Sequence, residues 1–201
     1  MNILILVAHP EKDSLCEANA KALVKAAKAQ KHTVKVLHTI DYPLLDTNPI
    51  KSDVPEIFNK AADEISKADF IAIVSPMWNF GGPASLKNFL DGALQNKKAY
   101  VFEPKKWLKW LNNLPGMKFI IPGAKPRGLL KIKKILCVWT ADGPMWHYAL
   151  HPGQNLLFKL IKQNFGFAGV KKFEQMRLGM THKRDEKQIQ TWLKKLESYT
   201  F

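Results

Sequence analysis

The sequence predicts a doubly wound α/β fold, with five parallel strands in the order 2-1-3-4-5 and helices on both faces of the sheet. Two observations carry this. Short apolar or β-branched runs alternate with segments of helical period along the 201 residues, the pattern of a parallel sheet covered by crossover helices. The first four runs each lead toward a loop rich in Pro, Gly or Asp, as strands do where they hand over to a helix.

Taken in order, the first strand is expected at 3–7 (ILILV), an all-apolar run suited to burial on both faces. A helix follows at 15–28, with Ser14 placed to cap it. The second strand is expected at 33–38 and its helix at 54–66. The third strand, at 70–75, is led by the apolar run FIAIV, and its helix at 83–94 opens on Pro83, whose missing N–H costs nothing in a first turn. The fourth strand is expected at 134–139, with a helix at 155–165. The fifth pair is a strand at 173–178 and a helix at 187–199. Five βα units of this kind make a flavodoxin-like sheet. Residues 95–131 form a connection far longer than the usual two to six residues, and loops of such length are commonly functional.

Composition sets the bounds. With 46% hydrophobic and 24% charged residues, the chain is neither disordered nor fibrous, and its length suits one domain, 1–201. No apolar run approaches the roughly 20 residues of a spanning helix. The N-terminus lacks a basic n-region and a long apolar stretch, so a cytoplasmic location is expected, with a peripheral place at the inner face of the membrane as the alternative. Two cysteines, Cys16 and Cys137, make no disulfide framework. No metal site is expected.

The formal charge is +14, and it is concentrated: residues 97–134 hold eleven Lys and Arg against one acid, Glu103. Such a patch can serve an anionic cofactor, a membrane face or simple solubility. No recognition helix or nucleic-acid motif accompanies it, so no nucleic-acid partner is expected.

In open α/β sheets ligands lie beyond the carboxyl ends of the strands near the switch point, which singles out three loops. After strand one, AHPEKDSLCEAN (8–19) leads into a helix whose free amides can hold a phosphate, though without a Gly-x-Gly-x-x-Gly or P-loop signature. After strand three, SPMWNFGGPASLKNFLDGAL (75–94) places aromatics and glycines on a loop suited to a planar ring. After strand four, WTADGPMWHYALHPGQN (139–155) carries His147, Tyr148 and His151, side chains able to relay a proton or simply to pack.

These loops resemble those of the flavodoxin-like NAD(P)H quinone dehydrogenases, a family that includes FMN-dependent azoreductases and potassium-efflux ancillary oxidoreductases. The likeness rests on residues 3–14, where the opening strand is followed by Ala-His and Ser. It rests most on Pro76 to Lys87, similar to the family's Pro-x-x-x-Phe-x-x-Pro-x-x-Leu-Lys pattern. AKPRGLLKIKK (124–134) is a looser match. The resemblance implies that His9, Ser14, Leu15 and Cys16 surround a flavin phosphate. It implies that Pro76, Met77, Trp78, Asn79 and Phe80 line the isoalloxazine, and that Thr140, Ala141, Asp142 and Gly143 lie on its far side. His151, with Tyr148, would be the catalytic proton partner. The activity implied is two-electron, ping-pong transfer from NAD(P)H to a quinone or similar acceptor, by a homodimer holding FMN, with FAD as the alternative. Two features depart from the pattern: Cys16 stands where the quinone dehydrogenases keep Asn, and the 95–131 connection is long.

An electron-carrier flavodoxin is expected to be acidic, which +14 contradicts. A flavin-binding regulatory subunit docking on a membrane transporter would use the basic segment. There Trp107, Trp110, Leu111 and Leu114 share a helical face beside Lys105, Lys106 and Lys109, a composition equally suited to an anionic membrane surface or to the rim of the flavin slot.

Overall fold

The computed structural model describes residues 1–46, 54–104, 124–150 and 155–201. Its centre is a five-stranded parallel sheet of β1 (Asn2–Val7), β2 (Thr33–His38), β3 (Phe70–Pro76), β6 (Lys134–Thr140) and β7 (Phe173–Leu178), in the order β2-β1-β3-β6-β7. With the two extra strands set aside, this is the expected 2-1-3-4-5. Each strand lies within a residue of its predicted bounds. The crossover helices are α1 (Leu15–Ala29), α2 (Glu56–Lys67), α3 (Ala84–Ala93), α5 (Leu156–Phe167) and α6 (Glu186–Glu197).

Alternation along the central strands divides the core in two. Ile3, Ile5, Val7, Phe70, Ala72, Val74, Leu136 and Val138 point to one side, where Leu23 of α1 and Trp192 and Leu196 of α6 cover them. Leu4, Leu6, Ile71, Ile73, Ile135, Cys137 and Trp139 point to the other, against Ile65, Phe89 and Phe165 of α2, α3 and α5. Every residue of β3 is buried, as its unbroken apolar run requires. Each large apolar side chain so buried contributes about 1.5–3 kcal/mol. An exposed ion pair such as Lys25–Glu197 contributes about 0–1 kcal/mol, so the sheet is held by its two faces and not by surface charge.

Three features differ from the sequence reading. Pro83 is the cap of α3 and not its first-turn residue; its ψ of 148° is extended, and α3 begins one residue later. The loop after the fourth sheet strand contains a short helix, α4 (Met145–Leu150), so Tyr148 stands on a helix. The long connection carries an antiparallel ribbon, β4 (Tyr100–Pro104) with β5 (Ala124–Gly128). The ribbon's base is seated against the end of α5: a Cβ on Gly128 would lie 2.2 Å from backbone atoms of Ala168 and Gly169, an approach only glycine permits. Lys105, Lys106, Trp107, Leu108, Lys109, Trp110, Leu111 and Leu114 lie outside the described residues, as does His151. Among the described residues no helix is long and apolar enough to cross a membrane.

Register sets the site. Val7 is level with Val74, Pro76 with Thr140, and Thr140 with Leu178, so the loops after β1, β3, β6 and β7 open at one end of the sheet.

Candidate functional site

At that end lies a cavity of about 210 Å3, lined by His9, Leu15, Cys16, Pro76, Met77, Trp78, Thr140, Ala141, Asp142 and Thr181. Nine of these ten are residues the sequence reading selected, from three loops.

The β1 loop contributes a helix start. Ser14 is extended and its Oγ accepts from the Glu17 amide at 3.3 Å, while its carbonyl accepts from Ala18 at 3.1 Å. The amides of Leu15 and Cys16 precede the first intrahelical donor and have no acceptor within the helix; both residues line the cavity. This is the arrangement that favours an anion. The His9 ring accepts from the Glu11 amide through Nδ1 at 3.0 Å and meets Trp78 edge-on, centroids 5.7 Å apart.

The β3 loop is a tight turn. Trp78 and Gly81 exchange backbone hydrogen bonds of 2.9 and 2.8 Å, and the two residues between them, Asn79 and Phe80, have φ of 47° and 66°. Two central residues at positive φ mark a type I′ turn. The glycines therefore do not supply the left-handed conformation. Gly82 instead supplies space, since a Cβ there would lie 2.9 Å from Leu157 and 3.0 Å from Leu86. Asn tolerates positive φ; a Phe held there costs on the order of 1–3 kcal/mol. The offset is visible. The Phe80 carbonyl accepts from the amides of Leu156 and Leu157 at 2.9 and 3.3 Å, the first two of α5, and two such bonds contribute about 0.5–1.5 kcal/mol each. The central amides of the turn, those of Asn79 and Phe80, have no cross-strand partner. Trp78 and Phe80 are 47% and 43% exposed; of the expected site residues Trp78 lines the cavity, whereas Ser14, Asn79, Phe80 and Gly143 stand beside it and do not.

The β6 loop closes the far wall. The Thr140 carbonyl accepts from Met77 at 2.7 Å, tying this loop to the β3 loop. Asp142 accepts from the Thr181 hydroxyl and lies 3.5 Å from the His182 ring. The Thr181 bond, with His182, holds the Asp142 carboxyl below its ordinary value against a small desolvation effect. Tyr148 does not line the cavity. It packs edge-on against Trp139 at 5.4 Å and its hydroxyl abuts the Gly143 turn. Burial and the nearby Asp142 charge push the Tyr148 hydroxyl above its ordinary value.

Thr181 is the site residue that the sequence reading missed. It lies in the loop after the fifth sheet strand, where Met180 at φ 55° turns the chain so that the Thr181 amide donates to Ala141 at 3.2 Å. Its loop position beyond a strand end was the available signal. Among the described residues no cluster of three or more His, Cys, Asp or Glu is placed to hold a metal.

The family described as Flavodoxin-like fold matches residues 1–200. The chain belongs to that family. Relatives of this Flavodoxin-like fold chain include an FMN-dependent NADH:quinone oxidoreductase of Hydrogenovibrio crunogenus, 30% identical over 54% of this chain and 44% of its own length. An uncharacterized NAD(P)H oxidoreductase of Haemophilus influenzae is 33% identical over 62% of this chain and 65% of its own length. The chain thus spans less than two thirds of the length of each of these two relatives. The same Flavodoxin-like fold is seen in an NAD(P)H:quinone oxidoreductase from Methanothermobacter marburgensis. It superposes with a TM-score of 0.75 at 18% identity, covering 98% of this chain and 94% of that one.

Proposed function

We propose that the chain is a flavin-dependent NAD(P)H:quinone oxidoreductase that binds FMN at the strand-end cavity and works by a ping-pong cycle. The observation that supports this reading is the juxtaposition, in one cavity, of a helix start whose Leu15 and Cys16 amides have no acceptor among the described residues and an exposed tryptophan, Trp78, that opens a tight turn at the cavity's edge. The donor set fits the group: an anionic phosphate on the Leu15 and Cys16 amides, and a planar ring against Trp78 and the Asn79 and Phe80 amides. The names of the relatives agree with it.

When bound, FMN supplies hydride acceptance from NAD(P)H and two-electron delivery to a quinone. The chain supplies the rest. The Asn79 and Phe80 amides, fixed by the turn beside the cavity, would serve as preorganised donors to negative charge on the bound group. Trp78, Met77 and Pro76 make one wall of the slot and exclude water from it. Tyr148 stands outside the cavity lining, against Trp139 and Gly143, and is not assigned the proton; His151 is assigned the proton role by its place in the sequence after β6. Leu156, whose amide bonds to Phe80, is 50% exposed, and Trp146 and Leu150 of α4 are 61% and 69% exposed; a second copy of the chain is the cover proposed for these apolar side chains.

The test is direct. Titration of the purified protein with FMN should quench flavin fluorescence at a one-to-one ratio, and rapid mixing with NADH should bleach the bound flavin before any quinone is added. Failure to bind FMN, or bound flavin that neither NADH nor NADPH reduces, would refute the reading.

A further inference from the structure

We infer that Asn155 and Gln175 are positioning residues for the turn at Trp78–Gly81: through the first turn of α5 they hold Phe80 in its left-handed conformation and so set the direction of the turn's central amides. What those amides face rests on the FMN reading; the hold on the turn does not.

The chain of contacts is continuous. Asn155 is buried, caps α5 by accepting from the Phe158 amide at 3.1 Å, and donates through Nδ2 to Gln175 Oε1 at 3.3 Å. The same Gln175 oxygen accepts from the indole N–H of Trp139 at 3.1 Å. Trp139 is fully buried in the sheet, so the start of α5 is moored to β6 and β7 by one side-chain oxygen that takes two donors. The next two amides of α5, Leu156 and Leu157, are spent on Phe80. With the Asn155 side chain on Phe158, each of the first three free donors of α5 is thereby used. Phe is a poor residue at positive φ, so the turn holds its shape only while those two donors stay in place. A sequence with Asn-Gly at these positions would hold it unaided; this chain has Asn-Phe and depends on α5 instead.

Asn155→Ala removes the cap and the mooring while leaving every cavity-lining residue in place. In the flavin-free protein, hydrogen exchange at the Trp78 and Gly81 amides, which bond to each other, should quicken about tenfold, as expected when a buried hydrogen-bonded group is lost. With FMN bound, the oxidised form should be held nearly as before and the reduced form about tenfold more weakly, a fall of about 30 mV in the two-electron potential. Phe80→Gly in the same chain should restore both readings, because the Asn-Gly pair forms the turn without support. Asp185→Ala serves as control: it removes a comparable cap from α6 and should move neither reading. Parental exchange and potential in Asn155→Ala would overturn the inference, as would equal effects in Asp185→Ala or no rescue by Phe80→Gly. A parent protein that takes no FMN but shows the exchange effect and its rescue would support the hold on the turn and defeat only the flavin reading.

Discussion

Cys16 lines the cavity, yet its thiol is poorly suited to redox chemistry. Burial, only partly offset by the Thr140 hydroxyl 4.0 Å away, pushes its pKa up to about 12, and the thiolate is the reactive form. Cys137 is still more deeply buried in β6, and its thiol is likewise pushed up by burial. In the native protein neither should react with iodoacetamide at pH 8 over an hour, and both should react fully in urea; mass spectrometry would show it. Rapid native labelling of Cys16 would mean that the cavity wall opens more than its packing indicates. Phe80 teaches the complementary lesson at this scale. Its neighbours in sequence, Gly81 and Gly82, suggest where the chain turns, but the positive φ falls on Phe80, because the bonds that hold it come from α5, far along the chain.

Among the elements, α1 carries the proposed phosphate end. Its start combines a capping hydroxyl, a first-turn acid at Glu17 and a hydrogen bond between the Glu17 carboxylate and the His38 ring at 2.9 Å, which draws the Glu17 carboxylate toward β2. Ser14→Ala removes the acceptor for the Glu17 amide and should lower stability by about 1 kcal/mol, seen as a lower midpoint in urea. If the helix start holds the phosphate, FMN affinity should fall in parallel, and riboflavin, which lacks the phosphate, should show no such loss. The ribbon β4–β5 is the element that the strand-by-strand reading did not contain. Its sequence, with Pro104 and Pro126 and a Gly128 that ends β5, lacks the alternating apolar pattern of a half-buried strand, and the pairing becomes evident only from the two segments meeting.

Across the whole molecule, one cluster joins the sheet to the C-terminus. Glu174 of β7 accepts from Lys134 of β6 at 2.9 Å and from the Tyr199 hydroxyl at 2.9 Å, and the Lys134 ammonium lies over the rings of Phe70 and Tyr199 at 5.5 and 5.2 Å. Desolvation acts to raise the Glu174 pKa, but the bonds from Lys134 and Tyr199 outweigh it and the net shift is downward. A carboxyl with a lowered folded-state pKa adds stability that is complete above its ordinary value of 4.5 and is lost as pH falls through the folded value. The urea midpoint of the parent should therefore drop more between pH 7 and pH 3 than that of Glu174→Gln; equal drops would show that the cluster contributes nothing. The group is partly exposed, so the difference should be modest and should shrink in salt.

What the sequence by itself determined was the layered fold and most of the cavity. The runs at 3–7 and 70–74 are apolar without interruption because they are covered on both faces, and a parallel sheet that buries such strands must open its loops at one end. That rule singles out the loops, and the family resemblance, carried at 3–14 and at 76–87, picked nine of the ten cavity residues from them. What only the tertiary structure decided depends on contacts between segments far apart in the chain. Thr181 reaches Asp142 because β7 lies beside β6, the ribbon exists because residues 100–104 and 124–128 meet, and the turn at Trp78 keeps its shape because Asn155, Gln175 and Trp139 converge behind α5. Local pattern encodes which face of an element is buried; it holds no record of which distant donor satisfies a given carbonyl.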